Sequence, residues 1–457
     1  MAIIAGAGQD GVITFDVDNS LLLDRVSGAK ITNTFGSTTN RKTFTVSLWT
    51  KKVNITQEQN LVFAGDLSGS NPFFDFRFNS DQTINWYQSE SSGSSAEFNL
   101  ITTRKFRDPL AWYHIVMAVD TTQGTSSNRV KLYVNGVQET SLSTATYPSQ
   151  NFDTAFNFVN FESQYGALRS STPTYDGYIC EVVLIDGQQL DPTSFGEFDS
   201  SSGVWKPISV SNLTFGDNGY YLDFEDSSDL GQDVSGNNND FSLTNIATTD
   251  QSADTCTNNW CTGNPLFVFN SSSGENADWE DGATVATNRN TNNNWGGEAT
   301  FRMESGKWYW EVKVGANMNN GANFGIWTDG PHGSGDTGSV MYQNTGSKVI
   351  DGSSTSYGAT YIENDILSFA YDADNGILVA YKNGVSQGNL FTAGSGKIYV
   401  PAFTIANGAL QLDYFNFGNP VVAISSGNSD GNGYGNFEYA VPSGYFALNT
   451  KNLAEFG

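Results

Sequence analysis

The sequence predicts an all-β protein made of two antiparallel β-sandwich (jelly-roll) domains in series. Three observations predict it. First, a hairpin phrase occurs twice in kind, as Val130-Lys-Leu-Tyr-Val-Asn-Gly-Val137 and as Leu378-Val-Ala-Tyr-Lys-Asn-Gly-Val385. Each is an alternating strand that meets an Asn-Gly pair and resumes, and Asn-Gly supplies the two left-handed residues of a type I′ turn. Second, many short segments alternate with period two, and none sustains a helical period. Third, 457 residues with 48 Gly, 31 Phe and 20 Tyr against 11 Pro make a turn-rich chain with aromatic cores, too long for one sandwich.

The elements follow in order. In Thr43-Phe-Thr-Val-Ser-Leu-Trp49, Phe44, Val46 and Leu48 share one face, the pattern of a half-buried antiparallel strand. Further strands are expected at 61–64, 73–78, 83–87, 112–119, 130–137 and 177–185. Asp191-Pro-Thr-Ser-Phe-Gly-Glu-Phe198 is at most one helical turn. Residues 1–200 form the first domain, 201–265 a connector with short strands at Tyr220 and Phe241, and 266–457 the second domain. There Trp308, Trp310, Val312 and Val314 face one way, and Tyr309, Glu311 and Lys313 the other. Strands at 324–327, 365–372, 377–384 and 410–418 complete it. Helix is expected only as single turns.

Charge narrows the function classes. Asp and Glu total 48 against 22 Lys and Arg, a net charge of −26. Such a surface repels phosphate backbones and anionic lipid, so nucleic acid is not an expected partner. No run is apolar and long enough to insert in a membrane. Met1-Ala-Ile-Ile-Ala-Gly-Ala-Gly8 lacks the basic and apolar regions of a secretory signal. It reads as the ordered start of a protein made in the cytoplasm and pinned in an assembly, a symmetric homo-oligomer. Of the three cysteines, Cys180 lies in a strand and reads as core. Cys256 and Cys261 lie in the connector and either pair or stay free. No second cysteine pair or neighbouring histidine completes a zinc site.

Two resemblances rest on these motifs. Phe44-Thr-Val-Ser-Leu-Trp49, Trp112-Tyr-His-Ile-Val116, Lys131-Leu-Tyr-Val-Asn-Gly136 and Asp176-Gly-Tyr-Ile-Cys-Glu-Val-Val-Leu-Ile-Asp-Gly-Gln188 resemble the laminin-G/pentraxin-like branch of the concanavalin A-like lectins. That implies a lectin-like jelly roll which binds glycan or protein at a loop rim, often through calcium. Trp308-Tyr-Trp-Glu-Val312 with Tyr381-Lys-Asn-Gly384 resembles a SPRY (B30.2-like) domain, a bent sandwich that recognises partners and is not an enzyme. The phrases Asp186-Gly-Gln-Gln-Leu-Asp-Pro192, Ser235-Gly-Asn-Asn-Asn-Asp-Phe241 and Ala447-Leu-Asn-Thr-Lys-Asn-Leu453 look like those of structural proteins of marine tailed bacteriophages. This implies a virion component (tail fibre, tail appendage or head decoration), made in the host cytoplasm. Its partners would be other virion proteins and a host-surface polysaccharide or receptor.

Candidate site residues follow. Sugar rings stack on aromatics near loops, here Trp86, Tyr87, Tyr165 and Tyr175 in the first domain and Trp295, Trp327 and Tyr357 in the second. Most such rings are expected to be packing residues. Calcium takes carboxylate and amide oxygens, here Asp66, Asp75, Asp120, Asp233 and Asp240, although none completes a spaced calcium loop and turn formation accounts for them better. Catalysis has little support. There are two histidines, His114 in a strand and His332 in a loop, and spacing joins neither to a nucleophile. Glycoside hydrolysis needs two flanking carboxylates, and the nearest match, Asp223-Phe-Glu225-Asp226, reads better as a solvated strand edge. The expected function is multivalent, non-catalytic binding; the alternatives are a purely architectural role and a glycan-degrading enzyme.

Overall fold

The computed structural model describes residues 15–66, 72–89, 95–168, 171–267, 274–287, 294–316, 322–328, 338–392, 396–405 and 412–457. Met1 and His332 therefore lie outside the described residues. The chain divides into two compact units, Met1–Asn258 and Asn259–Gly457.

The first unit is a sandwich of two antiparallel sheets. In one, Thr43–Lys52 lies between Trp112–Asp120 and Gly177–Asp186, and Val130–Val134 extends the Trp112 side. In the other, Gln59–Gly65, Phe73–Phe78, Thr83–Ser89 and Ala96–Lys105 follow one another as neighbours. Glu162–Tyr165 and Lys30–Thr34 continue that sheet beyond Gln59–Gly65. The inward residues expected from alternation, Phe44, Val46 and Leu48, meet Phe74, Phe76, Ile84 and Trp86 in one buried core.

Most of the connector expected at 201–265 falls in the first compact unit, Met1–Asn258. Tyr220–Leu222 pairs with Gly177–Asp186, Ser242–Thr244 with Lys30–Thr34, and Gln251–Ser252 with Ser20–Leu23. A second apolar cluster explains the packing. Phe195, Val210 and Phe215 lie on Val116, Ala118, Val183 and Ile185, which cover the outward face of the first sheet. Asp254 is held by a fully buried ion pair with Lys51 at 2.7 Å and by the Trp112 indole at 3.1 Å. Removing one partner of such a pair strands a buried charge, so the tail of this segment is fixed to the sheet. All three cysteines are thiols. Cys256 does not pair with Cys261; its sulfur lies 3.9 Å from that of Cys180.

The second unit also has two sheets. Lys307–Lys313 pairs with Ile366–Asp372 and Leu412–Asn416, and Ala322–Thr328 pairs with Tyr399–Ile405 and Ser339–Gln343. Trp308, Trp310, Val312 and Val314 are buried as alternation requires, with Trp310 stacked on Phe369 at 5.3 Å. The opposite face is buried as well. Tyr309 joins Trp260, Ala370, Phe437 and Ala447 in a cluster supplied largely by the chain after residue 418. One helix exceeds the single turn expected. Thr450–Phe456 makes about two turns, started by Asn449, whose side chain accepts from Asn452 N at 2.9 Å. Among the described residues no helix is long and apolar enough to cross a membrane.

Candidate functional site

The outward face of the second sheet of the first unit carries the most ligand-like chemistry. In Phe73-Phe-Asp-Phe-Arg-Phe78, the even positions Phe74, Phe76 and Phe78 point into the core. Phe73, Asp75 and Arg77 therefore point outward. The same alternation sends Asn85, Tyr87 and Ser89 outward from the next strand, where Ile84 and Trp86 face in. The register aligns these residues across the sheet. Gln164 is opposite Phe63, Phe63 opposite Asp75, Asp75 opposite Tyr87 and Tyr87 opposite Asn99. A parallel row runs Asn60, Arg77, Asn85.

Side chains directly opposite in a sheet are within contact distance, and the contacts are present. Phe63 and Phe73 stack at 6.4 Å, and Phe73 meets the edge of Tyr87 at 5.7 Å. The Arg77 guanidinium lies over the Tyr87 ring at 5.0 Å and pairs with Glu58 at 3.0 Å and Asp75 at 3.6 Å. Asn60 donates to Asp75. Burial raises the Glu162 carboxyl above its usual range; Lys30 works against that shift and Asp66 with it.

Several polar atoms on this face are buried without a partner among the described residues. They are Asn60 Oδ1, Arg77 Nε, Asn85 Oδ1, Asn99 Oδ1 and both amide atoms of Gln164. A buried polar atom left unbonded costs about 1–3 kcal/mol, and folded proteins keep few of them. A cluster on one face, beside aromatic rings, has the composition that recognises sugars. Phe63, Phe73, Asn60, Asp75 and Gln164 are buried, so the partly exposed Tyr87 ring with the Arg77 and Asn99 side chains is what this face offers to a sugar's C–H groups and hydroxyls.

The expected site residues sort sharply. Tyr87 and Asp75 belong to this face, and Asp66 follows the strand that carries Phe63. Trp86, Tyr165, Tyr175, Trp295 and Trp327 are buried, which corrects their assignment to a loop rim. Trp86 packs against Phe74 and Phe98. The hydroxyl of Tyr165 bonds that of Tyr220 at 2.9 Å, and that of Tyr175 bonds Thr50 at 2.6 Å. Trp295 meets Phe403, and the Trp327 indole donates to Glu298 at 2.9 Å. Each is buried, so no sugar reaches its ring. Tyr357 is half-buried and donates to Gly388 O at 2.6 Å.

The five carboxylates do not converge, and among the described residues no group of three or more His, Cys, Asp or Glu could hold a metal. Asp120 accepts from Thr122 N and Oγ1 at 3.0 and 2.6 Å. Asp233 accepts from Tyr221 N, Ser235 N and Oγ, and Asn239 N, all at 2.9 Å, and Asp240 accepts from Asp233 N. The oxygens of Asp120, Asp233 and Asp240 close turns.

Two constellations look catalytic and differ from a working site. Ser47 Oγ lies 2.9 Å from His114 Nε2. The Trp205 indole donates to His114 Nδ1 at 3.0 Å, and an indole can only donate, so Nε2 carries the proton. That tautomer donates to Ser47 and cannot take its proton. Burial holds the His114 pKa down to about 3, so the ring stays neutral between Trp49 and Trp205. Asp223 and Glu225 follow the short strand Tyr220–Leu222, and Asp223 accepts from Glu225 N at 3.2 Å as a turn former. The carboxyl beside them is Glu181. Burial pushes it up to about 8, against a hydrogen bond from Tyr221, with Asp223 and Glu225 adding to the rise.

Comparison with known proteins agrees with both units. Residues 24–190 match the concanavalin A-like lectin/glucanases superfamily, and residues 307–418 match the SPRY domain. The chain is thus all-β, with a lectin-like domain followed by a SPRY domain. No curated protein matches. Among solved structures, the SPRY domain of human HERC1 is similar at 16% identity and a TM-score of 0.28, over 30% of this chain and 91% of that one. A heptameric SAP-like pentraxin from Limulus polyphemus is similar at 13% identity and 0.28, over 38% and 79%. Stonustoxin is similar at 14% identity and 0.27, over 34% of this chain and 27% of that one.

Proposed function

We propose that this chain, a lectin-like domain followed by a SPRY domain, is a structural protein of a tailed-bacteriophage particle that binds host-surface glycan without catalysis. The virion part rests on the phage-like phrases at Asp186, Ser235 and Ala447. The glycan part rests on one observation, the partly exposed Arg77–Tyr87 stack with Asn99 beside it, whose amide oxygen has no partner among the described residues. Weak single sites suit a protein displayed in many copies on a particle, where linked binding multiplies affinity.

The test is a glycan array probed with the full chain, beside Tyr87→Ala and Arg77→Gln. Binding to a defined polysaccharide, lost in both variants at unchanged melting temperature, is the expected result. Unchanged binding in the variants moves the site elsewhere. No binding to any host polysaccharide, with particles that fall apart without the protein, favours the architectural role. Shortening of the polysaccharide over time favours an enzyme.

A further inference from the structure

The second unit contains a cavity of about 290 Å³ that the lectin-like reading does not use. Its floor is the outward face of the Lys307–Lys313 strand and its two neighbours. Tyr414 stands opposite Lys313 on one side and Ile366 on the other. Asn364 lies two residues before Ile366 and is tied to the same strand end by its N–H bond to Val314 O at 2.8 Å. The wall is the apolar run Pro420-Val-Val-Ala-Ile424, which lies beyond the SPRY match at residue 418.

The polar groups lining it divide into committed and uncommitted ones. Glu311 accepts from Tyr309 Oη at 2.8 Å and from the backbone N–H of Glu438 and Tyr439, each at 2.9 Å. Glu438 accepts from Ser425 N at 2.8 Å and from its hydroxyl. Asn416 donates to Asn436 O and accepts from Gly418 N. The side chains of Lys313, Asn364 and Tyr414 make no hydrogen bond or ion pair among the described residues. All three can donate, and Lys313 is a cation in a chain of net charge −26.

Both carboxylates of the cavity accept from the protein's own donors; the Lys313 ammonium, whose charge also helps lower the Glu438 carboxyl, the Asn364 amide and the Tyr414 phenol make no hydrogen bond among the described residues. That set complements a carboxylate with neighbouring hydroxyls. The aliphatic wall suits the C–H face of a ring, and the volume holds about one pyranose. We propose that this cavity binds a uronic acid residue, with its carboxylate on Lys313, hydroxyls on Asn364 and Tyr414, and its apolar face on Val421 and Val422. The site is independent of the ladder on the first unit.

Saturation-transfer NMR on the full chain, with D-glucuronate, D-glucose and hexanoate as probes, tests it. Glucuronate and glucose differ at one carbon, a carboxylate against a hydroxymethyl. Charge-assisted bonds from an ammonium are stronger than neutral ones, so glucuronate should bind about tenfold more tightly than glucose. Lys313→Gln should erase that difference, Asn364→Ala should weaken glucuronate, and Tyr87→Ala should change neither. Equal binding of the two sugars, retention of the preference in Lys313→Gln, or no signal from glucuronate overturns the proposal. Hexanoate bound in place of glucuronate overturns the sugar assignment. Lys313 is only partly buried, and an unchanged melting curve shows that its variant folds.

Discussion

The two Asn-Gly hairpins are near copies that differ in what covers them. At Asn135-Gly136, φ is 48° and 77°; at Asn383-Gly384 it is 48° and 76°. In each, the Asn side chain accepts from the backbone of the adjacent strand, from His114 N and from Ile366 N, both at 2.8 Å. Each Asn N–H returns a bond to the same residue's carbonyl, at 2.9 and 2.8 Å. An aromatic ring then sits on each glycine, Trp205 on Gly136 and Tyr439 on Gly384. Trp205 is buried and tied to His114, whereas Tyr439 is half-exposed and comes from the chain beyond the SPRY match. The turn is thus set by two residues locally, and its cover is supplied by whatever later segment the fold brings over it.

Removing the cover should separate the two most. Trp205→Ala should cost about 3–5 kcal/mol in a denaturant titration, the range for large buried aromatics, and Tyr439→Ala about 1 kcal/mol or less. Equal losses would show that the covers are equivalent. Alanine at the glycines comes next. Both positions have positive φ, but the Cβ at Gly136 would lie 2.4 Å from a fixed indole, and the one at Gly384 2.6 Å from a ring that can move. Gly136→Ala should cost about 2–3 kcal/mol and Gly384→Ala about 1–2 kcal/mol, read from thermal midpoints. Asn135→Ala should lose one side-chain bond and about 1 kcal/mol, and Asn383→Ala slightly more, since its amide also donates to Asp365 at 2.6 Å. A large gap between them would break the analogy.

A contrast in titration separates the two hairpins only at acid pH. Burial lowers the His114 pKa from 6.5 to about 3, and Ile366 in the second hairpin does not titrate. Between those pH values the unfolded chain binds a proton that the folded one lacks. His114 therefore leaves stability unaffected above pH 6.5 and lowers it as pH falls towards 3, by about 1.4 kcal/mol per unit. The His114 ring resonances should stay fixed from pH 5 to 8; movement with a midpoint near 6.5 would show that the ring is not enclosed.

The hairpins and most strands were legible in the sequence because turn chemistry and period-two alternation are local. The site was half legible, and for the same reason. Trp86 and Tyr87 are consecutive on one strand, so only one of them can leave the core, and alternation with Ile84 selects Tyr87. The other members, Asn60, Arg77, Asn85, Asn99 and Gln164, are ordinary outward residues until strand register aligns them. The signal available was Asp75 and Arg77 interleaved with three phenylalanines. Burial on both faces of Lys307–Lys313 was not legible, since the cover of Tyr309 and Glu311 arrives from residues 437–447. The fate of residues 201–258 was hidden likewise. Their polarity suits a linker, and only long-range pairing places them in the sandwich.

That long-range pairing has a consequence for biogenesis. Ser20 and Leu21 pair with Ser252 and Gln251, and Trp308 and Tyr309 pair with Phe446 and Ala447. Each unit is therefore completed by strands made long after its first ones have left the ribosome. Until then Ser20–Leu23 lacks one sheet neighbour, and the Tyr309 face lacks its cover. Non-local closure is slow, and open strand edges recruit other chains while they wait. A nascent chain halted before Gln251, or before Phe446, should depend on a chaperone to stay out of aggregates, and release of the remaining residues should end that dependence.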